Sequence, residues 1–140
     1  MKIVDRKEFL KLPSGTLFCQ CWQRWAFGDL HVKFDSLIYG DDGDGDFVSM
    51  PFTSVEADSS EQWLERLEAM ADQGAAFPLD LEASGRDGLF EKNALFLIFE
   101  RDDVHRLRDF LDSILTTDST EPNGVEPRNH ADVERYDGIN

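Results

Sequence analysis

Residues 94–99 read ALFLIF, six apolar residues in a row without a charge. The run is rich in Leu, Phe and Ile and too short for a helix, so it predicts a strand buried on both faces in the middle of a sheet. The hydrophobic period then changes, because residues 103–115 place apolar side chains at three- and four-residue steps. This spacing predicts an amphipathic helix that packs on the sheet.

Four segments upstream have extended character: residues 16–22, 30–38, 47–55 and 77–82. The Asp- and Gly-rich residues 41–46 predict a hairpin between the second and third of these. Pro51 places the third strand at an edge or beside a bulge. In residues 30–38 apolar and polar side chains mostly alternate, which predicts one solvent-exposed face that includes Lys33.

Capping patterns predict two further helices. Asp5 followed by Glu8 predicts a short helix near the N-terminus, and Ser59 followed by Gln62 predicts a long helix over residues 59–73. Gly74 is the residue type that ends such a helix.

These elements predict one α+β domain over residues 1–115. We expect an antiparallel sheet of four or five strands with helices 59–73 and 103–115 packed on one face; a partly closed SH3-like roll with helices is the alternative. Residues 116–140 contain two prolines, two glycines and few large apolar residues. They predict a polar, mobile C-terminal tail.

Charge limits the classes of partner. The 140 residues carry a formal net charge of −15, which argues against direct binding to nucleic acid or an anionic membrane and favours a basic protein partner. No signal peptide or membrane-spanning run is recognisable, so the sequence predicts a cytoplasmic protein. Cys19 and Cys21 are badly spaced for a mutual disulfide and are interpreted as small buried residues.

Three aspartates resemble the first ligands of a calcium loop. Asp42, Asp44 and Asp46 have the alternate spacing of an EF-hand. Phe47 and Thr53 occupy the positions where that loop needs Gly and Glu, so we predict a solvated hairpin turn rather than a metal site. The sequence leaves open whether these carboxylates bind a cation.

No catalytic residue is predicted. Nucleophilic catalysis needs a base next to a Ser or Cys, and His31, His105 and His130 fall in no recognisable catalytic motif. No cofactor motif is present either. The sequence therefore predicts a protein that is not an enzyme; a small enzyme of unrecognised class is one alternative.

The strongest functional pattern is a row of carboxylates in the helix predicted over residues 59–73. Glu61, Glu65, Glu68 and Asp72 follow one another at steps of four, three and four. At 100° per residue they share a band of about 60°. Such a row, called the carboxylate stripe below, approximates the phosphate spacing of a nucleic-acid strand and suits a basic groove; the alternative is a solvated helix face.

Trp22, Trp25 and Phe27 crowd a turn between two predicted strands. Large aromatic rings are favoured anchors at protein interfaces, so these three are the second predicted partner-binding set. The alternative is a minor core beneath the hairpin.

A resemblance covers residues 3 to 115. Four segments carry it: residues 9–18 (FLKLPSGTLF), 28–33 (GDLHVK), 85–90 (GRDGLF) and 99–104 (FERDDV). In these the chain resembles small uncharacterised acidic accessory proteins of tailed phages and prophages. The resemblance implies a protein that acts in the host cytoplasm, and it supplies no established active site.

Compact acidic phage proteins often resemble inhibitors of host defence, including anti-CRISPR and anti-restriction proteins. The leading hypothesis is therefore a non-enzymatic interaction protein that blocks a basic, nucleic-acid-handling partner through the carboxylate stripe. The alternative is a virion or assembly component that uses apolar surface. The sequence does not define the oligomeric state.

Overall fold

The computed structural model describes residues 1–39 and 44–117 and has an α+β architecture. Its elements are β1 (Lys2–Asp5), α1 (Arg6–Leu10), β2 (Leu17–Gln23), β3 (Ala26–Tyr39), β4 (Asp44–Pro51), α2 (Ser60–Gln73), β5 (Gly85–Arg86), β6 (Leu95–Phe99) and α3 (Arg101–Thr116). The strands form one antiparallel sheet in the order β1-β6-β2-β3-β4-β5. The predicted fold class is confirmed. The sheet has six strands rather than the predicted four or five. The prediction omitted β1 and the two-residue β5, because both are too short to show a hydrophobic pattern.

β6 is paired on both sides, by β1 and by β2. Phe96 and Ile98 on one of its faces are buried, whereas Leu95, Leu97 and Phe99 on the other face are only half-buried. The interior position of the strand is confirmed. The prediction that the strand is buried on both faces is wrong, because one face is only half-buried. One face of the sheet, called the core face below, therefore carries the main core.

A short helix closes that core. The ring of Phe9 in α1 stacks on Phe96 with centroids 3.9 Å apart and meets Phe18 and Phe47 edge-on at 4.7 and 4.9 Å. Burying a ring of this size stabilises a fold by about 1.5–3 kcal/mol. The prediction gave this covering role to the two long helices, but neither α2 nor α3 contains a buried residue.

Both predicted caps are formed. The Asp5 carboxylate accepts a hydrogen bond from the Glu8 backbone N–H at 2.8 Å, and the Ser59 hydroxyl accepts one from the Gln62 backbone N–H at 3.2 Å. Gly74 ends α2 with φ of +65°, a conformation that favours glycine. The predicted helix over residues 59–73 is confirmed.

The predicted strand at residues 77–82 is wrong. Leu79 forms only an isolated bridge with Val55, and Pro78 has no N–H with which to continue a ladder. The carbonyl of Pro78 accepts a hydrogen bond from the Glu56 N–H. This segment is therefore fastened to the chain that precedes α2 without becoming a strand.

Lys33 is the clearest departure from the sequence pattern. Its side chain is 1 % exposed, so the predicted solvent-exposed position is wrong. Its ammonium group donates hydrogen bonds to the carbonyls of Leu12 and Phe34 at 2.9 and 3.0 Å and lies 5.8 Å from the ring centroid of Phe9. Burial lowers the pKa of Lys33. Two carbonyl acceptors and an aromatic ring let a lysine occupy the core face where alternation predicted solvent.

Cys19 and Cys21 are buried free thiols, as predicted. Burial raises the pKa of both, since it disfavours the charged thiolate. They lie on the face of the sheet opposite to Phe18.

The chain divides into two compact units, Met1–Arg106 and Leu107–Asn140. Of the second unit the structure describes residues 107–117, which continue α3 to Thr116. The predicted tail, residues 116–140, lies outside the described residues except for its first two positions, and the predicted boundary at residue 115 stays a prediction. No helix in the described ranges is long and apolar enough to cross a membrane.

Candidate functional site

The carboxylate stripe forms on α2 as the spacing predicts. All four members are exposed: Glu61, Glu65, Glu68 and Asp72. Within residues 1–39 and 44–117 none of them forms an ion pair. The stripe therefore presents four uncompensated charges along one side of the helix.

The one basic residue of α2 is directed elsewhere. Arg66 donates a hydrogen bond to the Glu56 carbonyl, and its guanidinium carbon lies 5.0 Å from the ring centroid of Phe77. At 100° per residue Arg66 points about 130° away from the middle of the stripe. It fastens the helix to its flanking chain and leaves the stripe's charge intact.

The three predicted aromatic anchors are all exposed, but they do not form one patch. Trp25 lies in the turn between β2 and β3 and is 76 % exposed. Phe27 pairs with Cys21 and so lies on the face opposite to the core face, whereas Trp22 lines a cleft on the core face. None of the four stripe residues lines that cleft.

The cleft occupies the part of the core face that extends beyond the Phe9 cluster and has a volume of about 470 Å³. Period-two alternation brings Phe18, Gln20 and Trp22 of β2 to the same side, and Phe47, Ser49 and Pro51 of β4 join them from the other edge. Asp29 and His31 of β3 lie between these two strands. Residues 85–87 form the remaining wall. The lining thus combines apolar rings with polar side chains from β2, β3 and β4.

His31 and Ser49 meet inside this cleft. The imidazole Nδ1 lies 3.3 Å from the Ser49 hydroxyl oxygen, and the Phe18 ring centroid is 5.5 Å from that of His31. Burial lowers the pKa of His31 below its usual 6.5, although the negative charge of Asp29 partly opposes the effect. The imidazole is therefore neutral at pH 7 and is available as a hydrogen-bonding group.

An ion pair between the exposed Arg86 and a buried aspartate positions the wall formed by residues 85–87. The Asp46 carboxylate is fully buried and accepts hydrogen bonds from the Arg86 side chain, from the Phe47 N–H and from the Gly88 N–H. Burial alone raises the pKa of Asp46, but the Gly88 and Phe47 N–H groups and Arg86 outweigh it, so the pKa lies below 3.8. The hydrogen bond from Arg86 also raises the pKa of Arg86.

A second pair ties the same wall to α1. Arg6 is buried, lies 3.3 Å from an Asp87 carboxylate oxygen and donates a 2.7 Å hydrogen bond to the Gly45 carbonyl. The Asp87 N–H donates to the Phe47 carbonyl. Together the two ion pairs hold the wall against β4 and the short helix.

The aspartate spacing that resembles a calcium loop does not form a shared site. The oxygens of Asp46 are taken by Arg86 and by two backbone N–H groups, and Asp44 pairs with Lys92 at 3.3 Å. Asp42 lies outside the described residues. The prediction that this segment is only a solvated turn is wrong for Asp46, which is fully buried and accepts hydrogen bonds from the segment that contains Arg86 and Gly88 and from the N–H of its neighbour Phe47. In the described part of the chain no group of three or more His, Cys, Asp or Glu side chains is arranged to hold a metal ion.

Sequence reasoning missed most of the cleft. It treated His31 as a strand residue without a partner, and it gave Ser49 and Asp29 no role. The residue pattern of β4, DGDFVSMP, does not alternate between buried and exposed positions and gave no signal for the cleft. Only the pairing of β3 with β4 shows that Ser49 and His31 are neighbours.

Comparison with known proteins adds no relative: no protein-family model matches the chain, and neither a curated protein nor a solved structure is significantly similar to it. The functional argument therefore rests on the chain's own geometry and charge.

Proposed function

We propose that this chain is a non-enzymatic, acidic interaction protein that binds a basic, nucleic-acid-handling partner through the carboxylate stripe. The observation that carries the proposal is the exposure of Glu61, Glu65, Glu68 and Asp72 on one side of α2 without a paired cation among the described residues. Like charges at these steps cost the isolated helix about 0.2–0.5 kcal/mol per pair. A cationic surface would remove that repulsion on binding.

The spacing of the stripe supports a partner that normally holds nucleic acid. Side chains three and four residues apart on a helix are separated by about 5–6 Å, close to the spacing of phosphates along a strand. A protein that offers such a row competes for the same basic groove. This is the action expected of an inhibitor of the anti-CRISPR or anti-restriction type, and the phage resemblance implies an accessory protein that acts in the host cytoplasm.

Reversal of two stripe charges tests the proposal. Affinity purification with the tagged chain, followed by mass spectrometry, names the partner, and binding is then titrated with Glu65→Lys combined with Glu68→Lys. We expect affinity to fall by about tenfold or more while the fold is kept, since interface charges act on binding and the change removes repulsion within α2. Wild-type binding should also weaken as salt shortens the Debye length below about 10 Å.

The matched control reverses two exposed carboxylates away from α2, Glu82→Lys with Glu91→Lys, and changes the net charge equally. It should lower affinity by less than about threefold if the stripe itself is the contact. Equal losses of affinity in both double variants would mean that net charge, and not the stripe itself, determines binding. An unchanged affinity of the folded stripe variant would contradict the proposal.

A virion or assembly component is the second candidate, and the exposed ring of Trp25 favours it. A self-association contact of this kind depends on apolar area rather than charge. Sedimentation of wild type and Trp25→Ser separates the candidates, because only the assembly function predicts an oligomer that this substitution dissolves. A monomer at all concentrations would count against it.

A further inference from the structure

Two exposed residues in the lining of the cleft are an aromatic ring, Trp22, and a carboxylate, Asp29. The indole of Trp22 packs over Gly28, where an added Cβ atom would lie 3.5 Å from the indole nitrogen and 3.3 Å from the Gln20 carbonyl oxygen. Asp29 is the next residue along the chain, and both Trp22 and Asp29 line the cleft. The indole therefore lies in van der Waals range of position 28, directly beside the residue that carries the carboxylate.

The charges that line the cleft leave one negative charge without a partner. Arg86 is balanced by Asp46 at 2.9 Å, and Asp87 is balanced by Arg6 at 3.3 Å. Asp29 is exposed and forms no ion pair or side-chain hydrogen bond with another described residue. The neutral imidazole of His31 adds no positive charge at pH 7.

Arg86, the cation among the described residues that line this cleft, is already paired with Asp46, so an anionic ligand would compete with that carboxylate. The Arg86 guanidinium donates through Nε to the Asp46 carboxylate and through Nη2 to the Tyr39 hydroxyl, so its charge already has a carboxylate partner. A cationic ligand would instead meet the Asp29 carboxylate, the face of an indole and the acceptor groups of Gln20 and Ser49. The net charge of −15 raises the local concentration of cations in the same direction.

We propose that this cleft binds the cationic end of an arginine or lysine side chain, held between the Trp22 indole and the Asp29 carboxylate. The proposal deepens the proposed function and rests on it, because it names the group through which a basic partner engages a second site apart from the stripe. An aromatic face and a carboxylate together recognise a cation through its charge and its weak hydration. Phe18 and Pro51 supply apolar surface for the aliphatic stem.

The test uses single-residue probes and the full chain. N-acetyl-arginine methylamide and N-acetyl-lysine methylamide are titrated into ¹⁵N-labelled protein, with N-acetyl-glutamine methylamide as the uncharged control. The indole N–H signal of Trp22 and the amide signal of Gly28 should shift with the cationic probes. The stripe residues should shift less in this titration, because an exposed helix face offers no ring and no cavity.

Two variants with matched controls decide the site. Asp29→Asn should weaken binding of the cationic probes by about fivefold, and Trp22→Leu by a similar factor. Asp35→Asn, an exposed aspartate of the same strand outside the cleft, and Trp25→Leu should leave binding within about twofold of wild type. Because Asp29 and Trp22 are both exposed, the variants are expected to keep the wild-type melting temperature, which is measured alongside.

Equal shifts with the glutamine probe, or unchanged binding by both Asp29→Asn and Trp22→Leu, would overturn this assignment. If the probes shift only stripe signals, the cleft proposal fails while the proposed function is untouched. If the cleft variants behave as expected but the stripe reversal leaves partner affinity unchanged, the proposed function fails and the cleft remains a cation site.

Discussion

β6 and β3 belong to one sheet, yet their hydrophobic patterns predict their surroundings very differently. β6 reads as five apolar residues, and its two core-face side chains, Phe96 and Ile98, are buried as such a run predicts. β3 alternates, and the residue of β3 that is most buried is Lys33. Apolar runs therefore locate a strand in the core, whereas alternation gives the period of a strand without saying which of its faces is covered.

The cause lies in the neighbouring strands. Phe18 of β2 pairs with His31, and Ser49 of β4 pairs with Lys33, so the polar members of β3 share a face with the aromatic core. A bulge between Lys33 and Ser36 then shifts the register of the remaining part of β3. Three mutational measurements sharpen this contrast.

The largest effect is expected in β6. Phe96→Ala should lower the free energy of unfolding by about 3–5 kcal/mol, because the ring is fully buried and stacked on Phe9. Leu97→Ala, on the half-buried face of the same strand, should cost less than about 2 kcal/mol. Urea denaturation measures both. Equal losses would mean that the two faces of β6 are equally well packed, which would contradict the difference in burial between Phe96 and Leu97.

An intermediate effect is expected in β3. Lys33→Ala should cost about 1–3 kcal/mol, because the carbonyls of Leu12 and Phe34 lose their donor and the buried stem loses its packing. The exposed Lys7 provides the control, and Lys7→Ala should stay within about 0.5 kcal/mol. Lys33→Met keeps most of the stem and separates packing from hydrogen bonding. An unchanged free energy of unfolding for Lys33→Ala would mean that the ammonium group lies in solvent, as the alternating pattern of β3 predicts.

The smallest effect is a dependence on pH that β3 has and β6 lacks. The pKa of His31 is lowered from 6.5 in the folded chain, so the unfolded chain binds this proton more readily. Stability is therefore complete above about pH 6.5 and falls as the pH drops through the folded pKa, by at most about 1.4 kcal/mol per pH unit for one proton. Denaturation of wild type and His31→Gln between pH 7.5 and 5 measures the difference. A wild-type curve as flat as that of the variant would contradict the burial of the imidazole.

Helix caps and helix ends could be predicted from the sequence, because each depends only on residues that are close together in the chain. The cap of α1 at Asp5, the cap of α2 at Ser59 and the left-handed end at Gly74 need only residues a few positions apart. The same locality made the carboxylate stripe predictable, since a helix of known bounds fixes which side chains share a side. Its role in binding stays a prediction.

The sequence by itself determined the α+β class, the interior strand β6, the bounds of α2 and the stripe, because each depends on a period or a cap within a single segment. The tertiary structure alone decided that α1 closes the core, that Lys33 is buried, and that Asp29, His31 and Ser49 share a cleft with Trp22. These outcomes depend on strand order and register, which join segments that lie far apart in the chain. A hydrophobic pattern carries no information about which distant strand becomes a neighbour, and the free energy of burying a polar group depends on the donors and acceptors that this neighbour brings.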